Sequence, residues 1–291
     1  MEVITIMRAL DPEVFDAVWA AIEPLVPVAV DDHPLGCHRP RASNRDCFEV
    51  MLVRLATGCS WEDAERLCGK VVSDTTVRQR RSEWLAAGVF DTVADEALRA
   101  YDRIVGLSLS DVAVDGSLHK SPCGGEGTGR NPTDRGKLGW KWSLLTDRHG
   151  IPIGWTIDGA NRNDSILLEP TLDDAARRGL LRDVETVWLD RGYDSEVTRQ
   201  RLTERNVDDA VIAKKRTRGC AAPKTNNQPM GLRWPVERTN SWLSNFGQLR
   251  RNTDRKPAHR LAQFALAITL LLTAKLIDWR KRWSSDLAPI R

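Results

Sequence analysis

The 291-residue chain lacks the marks of several broad classes of protein. At its N-terminus no basic stretch precedes an apolar run, so no signal peptide is evident. Nor is there a clean apolar run of about 20 residues, the length a membrane helix needs. The nearest candidate, Leu261 to Ile277, is interrupted by Gln263 and Lys275, and it reads as a buried amphipathic helix with no membrane role. The six cysteines (Cys37, Cys47, Cys59, Cys68, Cys123 and Cys220) include no C-x-x-C pair. Without a secretory signal, a reduced, cytoplasmic state is expected. His33, Cys37 and His38 lie close together, but no second ligand pair follows at a zinc-site spacing. The Gly-rich, charged stretch from Gly124 to Gly139 has no Walker spacing and reads as a mobile loop rather than a nucleotide cradle. No repeat of solenoid length is apparent.

What is present suits a folded, soluble chain of one large domain or two ordinary ones, with 41% hydrophobic and 29% charged residues. The formal net charge is only +3, but it is unevenly spread. Ala213 to Arg260 holds 12 Lys or Arg against two acids, Glu237 and Asp254, so this segment is +10 and the remainder −7. Charge runs are usually just solvated. A local excess of this size that also surrounds a candidate catalytic acid points instead to a polyanion, because phosphate neutralisation dominates nucleic-acid affinity.

The first hundred residues read as helical. Helices are expected over Asp11 to Leu25 and Asp46 to Ala56, separated by a polar, Pro-containing linker from Asp31 to Ser43. Ser60 with Asp63 resembles a capping box opening a helix to Cys68, Gly69 breaks it, and Thr75 to Ala87 forms the next. Two short helices about a Gly-containing turn, the second carrying Arg78, Arg80 and Arg81, match a helix-turn-helix, with those arginines near DNA. The competing reading is a small helical bundle whose arginines are simply exposed.

From about Ser108 the pattern changes to short β-rich runs alternating with helices. Strands are expected at Val112 to Val114, Trp140 to Leu145, Ile151 to Ile157, Val184 to Leu189 and Ala210 to Ala213. Helices are expected from Asp164 or Ser165 to Arg178, from Ser195 to Arg205, from Pro235 to about Phe246, and from Pro257 to about Trp279. This is an α/β layout with a mixed sheet. It gives two domains, a helical DNA-binding domain over 1–105 and a catalytic domain over 106–291.

Three acids stand out. Asp115 follows the apolar run Val112-Ala113-Val114, Asp190 follows Val187-Trp188-Leu189, and Glu237 lies in the first turn of a helix inside the basic segment. A carboxylate at the end of a buried strand is costly without a partner. If the two strands are neighbours, Asp115 and Asp190 converge and repel unless a cation lies between them. Magnesium and manganese take oxygen ligands of this kind, and two such ions can activate a hydroxyl and stabilise a leaving oxygen in phosphodiester attack. A single acid at a strand end is more often a cap or turn residue; three, the third in the most basic segment, form a stronger pattern.

These residues carry a resemblance. Val114-Asp115-Gly116-Ser117, Gly129 to Lys137, Asp147 to Pro152, Gly159 to Ser165, Leu189 to Ser195, and Arg233-Trp234-Pro235-Val236-Glu237-Arg238 with Trp242 resemble, in order, the DDE transposases of bacterial insertion sequences, family five. Gly58-Cys59-Ser60-Trp61 and the helical head resemble the N-terminal domain of the same group. The resemblance implies a ribonuclease-H-like core in which Asp115, Asp190 and Glu237 bind magnesium or manganese, as two divalent ions per site. It implies double-stranded DNA as partner, both element ends and target, and at least a homodimer to synapse two ends. Arg233 stands four residues before the glutamate, as in the family signature, with Arg238 beside it. Met230 occupies the usual Tyr position and Ser244 the usual basic one; Arg250 or Arg251, farther along, could supply that charge. Two other classes fit parts of the pattern: a transposase-derived DNA-binding protein without catalysis, and a ribonuclease-H-like nuclease without strand transfer.

Overall fold

The computed structural model describes residues 8–28, 40–207, 209–213 and 233–286. By their contacts these fall into two units, Met1–Val105 with Leu243–Arg291, and Gly106–Trp242.

Side-chain oxygens start the helices of the first unit. Asp11 caps α1 (Pro12–Ile22), Ser43 caps α2 (Asn44–Thr57), Ser60 caps α3 (Trp61–Leu67) and Ser73 caps α4 (Asp74–Ala86). Each accepts a hydrogen bond from a backbone N–H that the helix itself cannot satisfy. A further helix, α5 (Val89–Ile104), begins after Gly88 in the left-handed conformation. The expected linker from Asp31 to Ser43 lies largely outside the described residues.

A short helix α9 (Gly247–Arg250) and the long α10 (Pro257–Asp286) complete this unit, α9 against α2, and α10 against α5, α1 and α4. Phe264, Ala265, Ile268 and Leu272 are fully buried in that packing. One stretch of α10 is apolar and long enough to cross a membrane by composition alone, and 67% of it is buried within the protein. The sequence pattern leads one to expect a single domain over 106–291. Leu243–Arg291 instead packs with the head, because the apolar stripe of α10 finds its cover on α5 and α1.

A buried ionic hub reinforces this join. Asp254, just before α10, accepts from Arg81 at 2.9 and 3.2 Å, from Arg54 at 3.4 Å and from Gln263 at 2.7 Å. Burial alone would raise the Asp254 carboxyl; the two guanidiniums beside it hold it below its ordinary value. Burial lowers Arg54 to about 10. Both guanidiniums also lie over the Trp61 ring, at 4.2 and 4.8 Å.

The second unit is built on a six-stranded mixed sheet. Its strands are β1 (Asp111–Lys120), β2 (Gly129–Arg130), β3 (Leu138–Thr146), β4 (Pro152–Gly159), β5 (Thr186–Leu189) and β6 (Asp209–Ile212). Across the sheet they run β4-β3-β1-β5-β6, with the two-residue β2 also pairing β3. β1, β3 and β4 form an antiparallel meander, while β5 and β6 add parallel to β1. Three antiparallel strands followed by two parallel ones is the ribonuclease-H-like order. Helix α6 (Asp164–Arg177) packs on β4 and β3, and α7 (Glu196–Thr203) connects β5 to β6. Asn163 caps α6, one residue before the expected start.

The stretch from Gly124 to Gly139, read from composition as a mobile loop, is instead folded onto the sheet. β2 pairs Gly129 with Gly139 and Arg130 with Leu138, and Asn131 is buried, its side chain accepting from the N–H and hydroxyl of Thr133. Glycine-rich composition had concealed a backbone ladder that closes the stretch.

Candidate active site

The parallel pairing of β1 and β5 brings two of the candidate acids together. Asp111 lies opposite Thr186, Val112 opposite Val187 and Ala113 opposite Trp188. Asp115 and Asp190 each stand two residues past the last of these pairs, at the same end of the two strands, where Asp190 caps a short 3-10 turn and accepts from the Arg191 N–H at 2.6 Å.

The third acid arrives on α8 (Trp234–Ser244), where Pro235 occupies the first turn, a position at which its missing N–H costs nothing. Within the second unit α8 is pinned to the β3–β4 turn. Thr239 donates its hydroxyl to the Gly150 carbonyl at 2.6 Å, and Arg238 donates to the His149 carbonyl at 2.6 Å. Gly150 has φ of +79°, and a Cβ there would lie 2.7 Å from the Thr239 hydroxyl, so only glycine allows this approach. Asp147 shapes the same turn by accepting from the N–H groups of Ile151, His149 and Ser108.

Arg233 joins the acids. Its guanidinium donates to Asp190 at 3.2 Å and to Glu237 at 3.2 Å, bridging the strand-end acid and the helical one. Asp115 lies deeper. Burial pushes its carboxyl up to about 6 against the pull of Arg233, and the charge of Glu237 adds to the rise. Asn240, one turn after Glu237, donates to Asp115 at 3.0 Å. Tyr193 is buried nearby, and burial together with the charges of Asp164, Asp115 and Asp190 pushes its phenol well above its ordinary value.

A fourth acid stands beside this group. Asp164, at the start of α6, accepts from the buried Lys141 on β3 at 2.7 Å. Its Oδ1 would lie 2.4 Å from a Cβ at residue 116, so Gly116 is what lets Asp164 come against β1 next to Asp115. In the sequence Asp164 stands at a helix start within the Gly159–Ser165 stretch and Lys141 within a strand, with no site role assigned to either. Their signal was the charged Lys141 in the middle of an apolar strand, which demands a buried partner.

Among the described residues, no three acids, histidines or cysteines are drawn together tightly enough to hold a metal ion. The donor set nevertheless fits a hard divalent cation. It consists of carboxylate oxygens, one of them desolvated, and two already gather the positive charge of Arg233.

The predicted DNA-contacting arginines separate into two groups. Arg250 and Arg251 are exposed, as are Arg255 and Lys256. Arg238 is held between the Trp234 and Trp242 rings, at 4.1 and 4.6 Å. In the head, Arg78 is exposed and paired with Asp74, whereas Arg80 and Arg81 are buried. Arg80 donates to Asn44 and to the Ala42 carbonyl, and Arg81 belongs to the Asp254 hub. The expectation that Arg80 and Arg81 lie near DNA is therefore corrected. With Val77 and Trp84 they occupy positions i, i+3, i+4 and i+7 of α4, the buried stripe, and the exposed face carries Thr75, Arg78, Gln79 and Ser82. The basic residues from Lys214 to Lys224, and Met230, lie outside the described residues.

Residues 107–272 match the family model described as "Transposase DDE domain". The chain belongs to the DDE-domain transposases of insertion sequences. Residues 14–94 of the chain also match "Putative transposase of IS4/5 family". A Burkholderia cepacia protein described as "Putative transposase for insertion sequence element IS402" is 42% identical over 135 residues, 44% of this chain and 60% of that protein. The chain thus spans 60% of that relative's length. A second protein from the same organism, "Insertion element IS402 uncharacterized 16.2 kDa protein", is 35% identical over 126 residues, 42% of this chain and 82% of that one. Among solved structures, the piggyBac transposase synaptic complex with hairpin DNA aligns over 96% of this chain and 76% of its own, at 12% identity and TM-score 0.41. The Mos1 transposase paired-end complex aligns over 64% and 62%, at 13% identity and TM-score 0.24. It is the strand order of this chain that carries the fold assignment.

Proposed function

We propose that this transposase binds double-stranded DNA at the ends of its element and cuts and rejoins it with a divalent metal held by Asp115, Asp190 and Glu237. The observation that supports the reading is Arg233, which bridges Asp190 and Glu237 and whose charge acts on Asp115, at the end of the neighbouring strand. Magnesium or manganese, one or two ions, would supply Lewis-acid stabilisation of the attacking and leaving oxygens.

The protein's own groups have separable tasks. Asp115 and Asp190 offer fixed oxygens on a rigid sheet, and Glu237 offers one from a helix pinned by Thr239 and Gly150. Arg233 neutralises part of the carboxylate charge and is placed to hold a phosphate against it. Arg250, Arg251, Arg255 and Lys256 present exposed positive charge suited to phosphates of flanking DNA, and Arg78 presents one from the head. Bringing two element ends together requires at least two copies of the chain.

The test is cleavage of a duplex carrying the element's terminal repeat, in magnesium, by Asp115→Asn, Asp190→Asn and Glu237→Gln. Each amide keeps size and loses charge, so each variant should fold, bind DNA and fail to cut. Near-normal cutting by any one of them would remove that residue from the site, and binding without cutting by the unaltered chain would identify a DNA-binding protein without catalysis.

A further inference from the structure

The Asp115 carboxylate is reached by a side chain that neither the apolar pattern nor the acid motif singles out. α8 carries Glu237 and, three residues later, Asn240, which is 6% exposed. Asn240 Nδ2 donates to Asp115 Oδ2 at 3.0 Å, and its Oδ1 accepts from Trp142 Nε1 at 2.8 Å. An indole N–H can only donate, so the amide oxygen must face Trp142 and the amino group must face Asp115. The orientation of the amide is set by chemistry. Trp142 is itself fully buried and stacked on His119, with ring centroids 3.7 Å apart and planes within 14°. His119 is further tied to the Ser117 hydroxyl at 2.8 Å, and burial lowers its imidazole to about 3, so this ring stays neutral.

We infer that Asn240 is a positioning residue: clamped by Trp142, it engages one oxygen of Asp115 and turns the other toward the cation site. The inference rests on the reading of Asp115 as a metal ligand. A flexible carboxylate at a strand end would offer its oxygens in many directions. One tied by a rigid amide offers a single direction, and outer partners of this kind typically govern metal affinity by about 10- to 100-fold. The same amide joins the helix that carries Glu237 to the strand that carries Asp115, so it also sets the spacing between those two acids.

The experiment uses the full chain without DNA and measures Mn2+ binding by electron paramagnetic resonance, beside single-turnover cleavage and DNA affinity. Asn240→Leu keeps the branched four-atom side chain and removes both hydrogen bonds. It should weaken Mn2+ about tenfold, slow the cleavage step and leave DNA affinity unchanged. Trp142→Phe keeps an aromatic ring against His119 and removes the N–H that clamps Asn240, so it should weaken Mn2+ by a smaller factor in the same direction. Added to Asp115→Asn, Asn240→Leu should cause no further loss, because its effect passes through Asp115. Should Asn240→Leu prove poorly folded, Trp142→Phe decides the matter alone. Unchanged Mn2+ affinity in both variants, with Asp115→Asn deficient, would overturn the positioning role. Full Mn2+ affinity in Asp115→Asn would overturn the ligand reading, and the inference with it.

Discussion

Replacing Asp115 by Asn should stabilise the metal-free fold. In the protein the carboxyl is pushed from 3.8 up to about 6, chiefly by burial. A raised value means that the folded chain holds the proton more tightly than the unfolded one, so ionisation opposes folding. The penalty is fully present above the folded value and fades as the pH falls through 6 toward 3.8. A difference of this size corresponds to about 3 kcal/mol at pH 8. Asparagine fits the same space, can still accept from the Asn240 amide and carries no charge to desolvate. Urea unfolding followed by tryptophan fluorescence, in chelator, should therefore show a higher midpoint for Asp115→Asn at pH 8. With a slope of about 3 kcal/mol/M the rise is about 1 M. At pH 4 the gap should nearly close, since the wild-type carboxyl is then protonated in the fold. Saturating Mn2+ should narrow the gap at pH 8 by stabilising the wild type alone. A gap that is the same at pH 4 and pH 8, or a variant less stable than wild type at pH 8, would refute the claim that Asp115 is held as a desolvated charge.

Two further outcomes follow from the first unit. Asp254→Ala leaves Arg54 and Arg81 buried without their shared counter-charge, and should cost about 3–5 kcal/mol in equilibrium unfolding; a loss below about 1 kcal/mol would mean the hub is relaxed by water. If Arg250 and Arg251 each hold one phosphate, replacing both by Ala should flatten the slope of log affinity against log salt by nearly two, at about 0.9 per contact. Binding should weaken for all sequences alike, and an unchanged slope would show that these side chains do not face DNA.

Local chemistry made most of the elements legible in the sequence. The cap at Ser60, the break at Gly69, Pro235 in a first turn and the alternation of apolar runs are decided within a few residues, where side chain and backbone meet directly. The three acids could be singled out for the same reason, since a charge ending an apolar strand is anomalous wherever the strand lies. Tertiary structure decided what these residues face. Arg80 and Arg81 look like DNA-reading charges in one dimension, yet their helical phase with Val77 and Trp84 turns them inward, and for Arg81 a carboxylate 173 residues away makes that tolerable. The placement of α10 with the head depended on which apolar stripe could be covered, a competition among distant surfaces that no local pattern records. Asn240 and Trp142 are 98 residues apart, and neither is unusual on its own. Only the register that sets β1 beside β3, with α8 pinned by Gly150, makes Asn240 a partner of Asp115 and Trp142 a partner of Asn240.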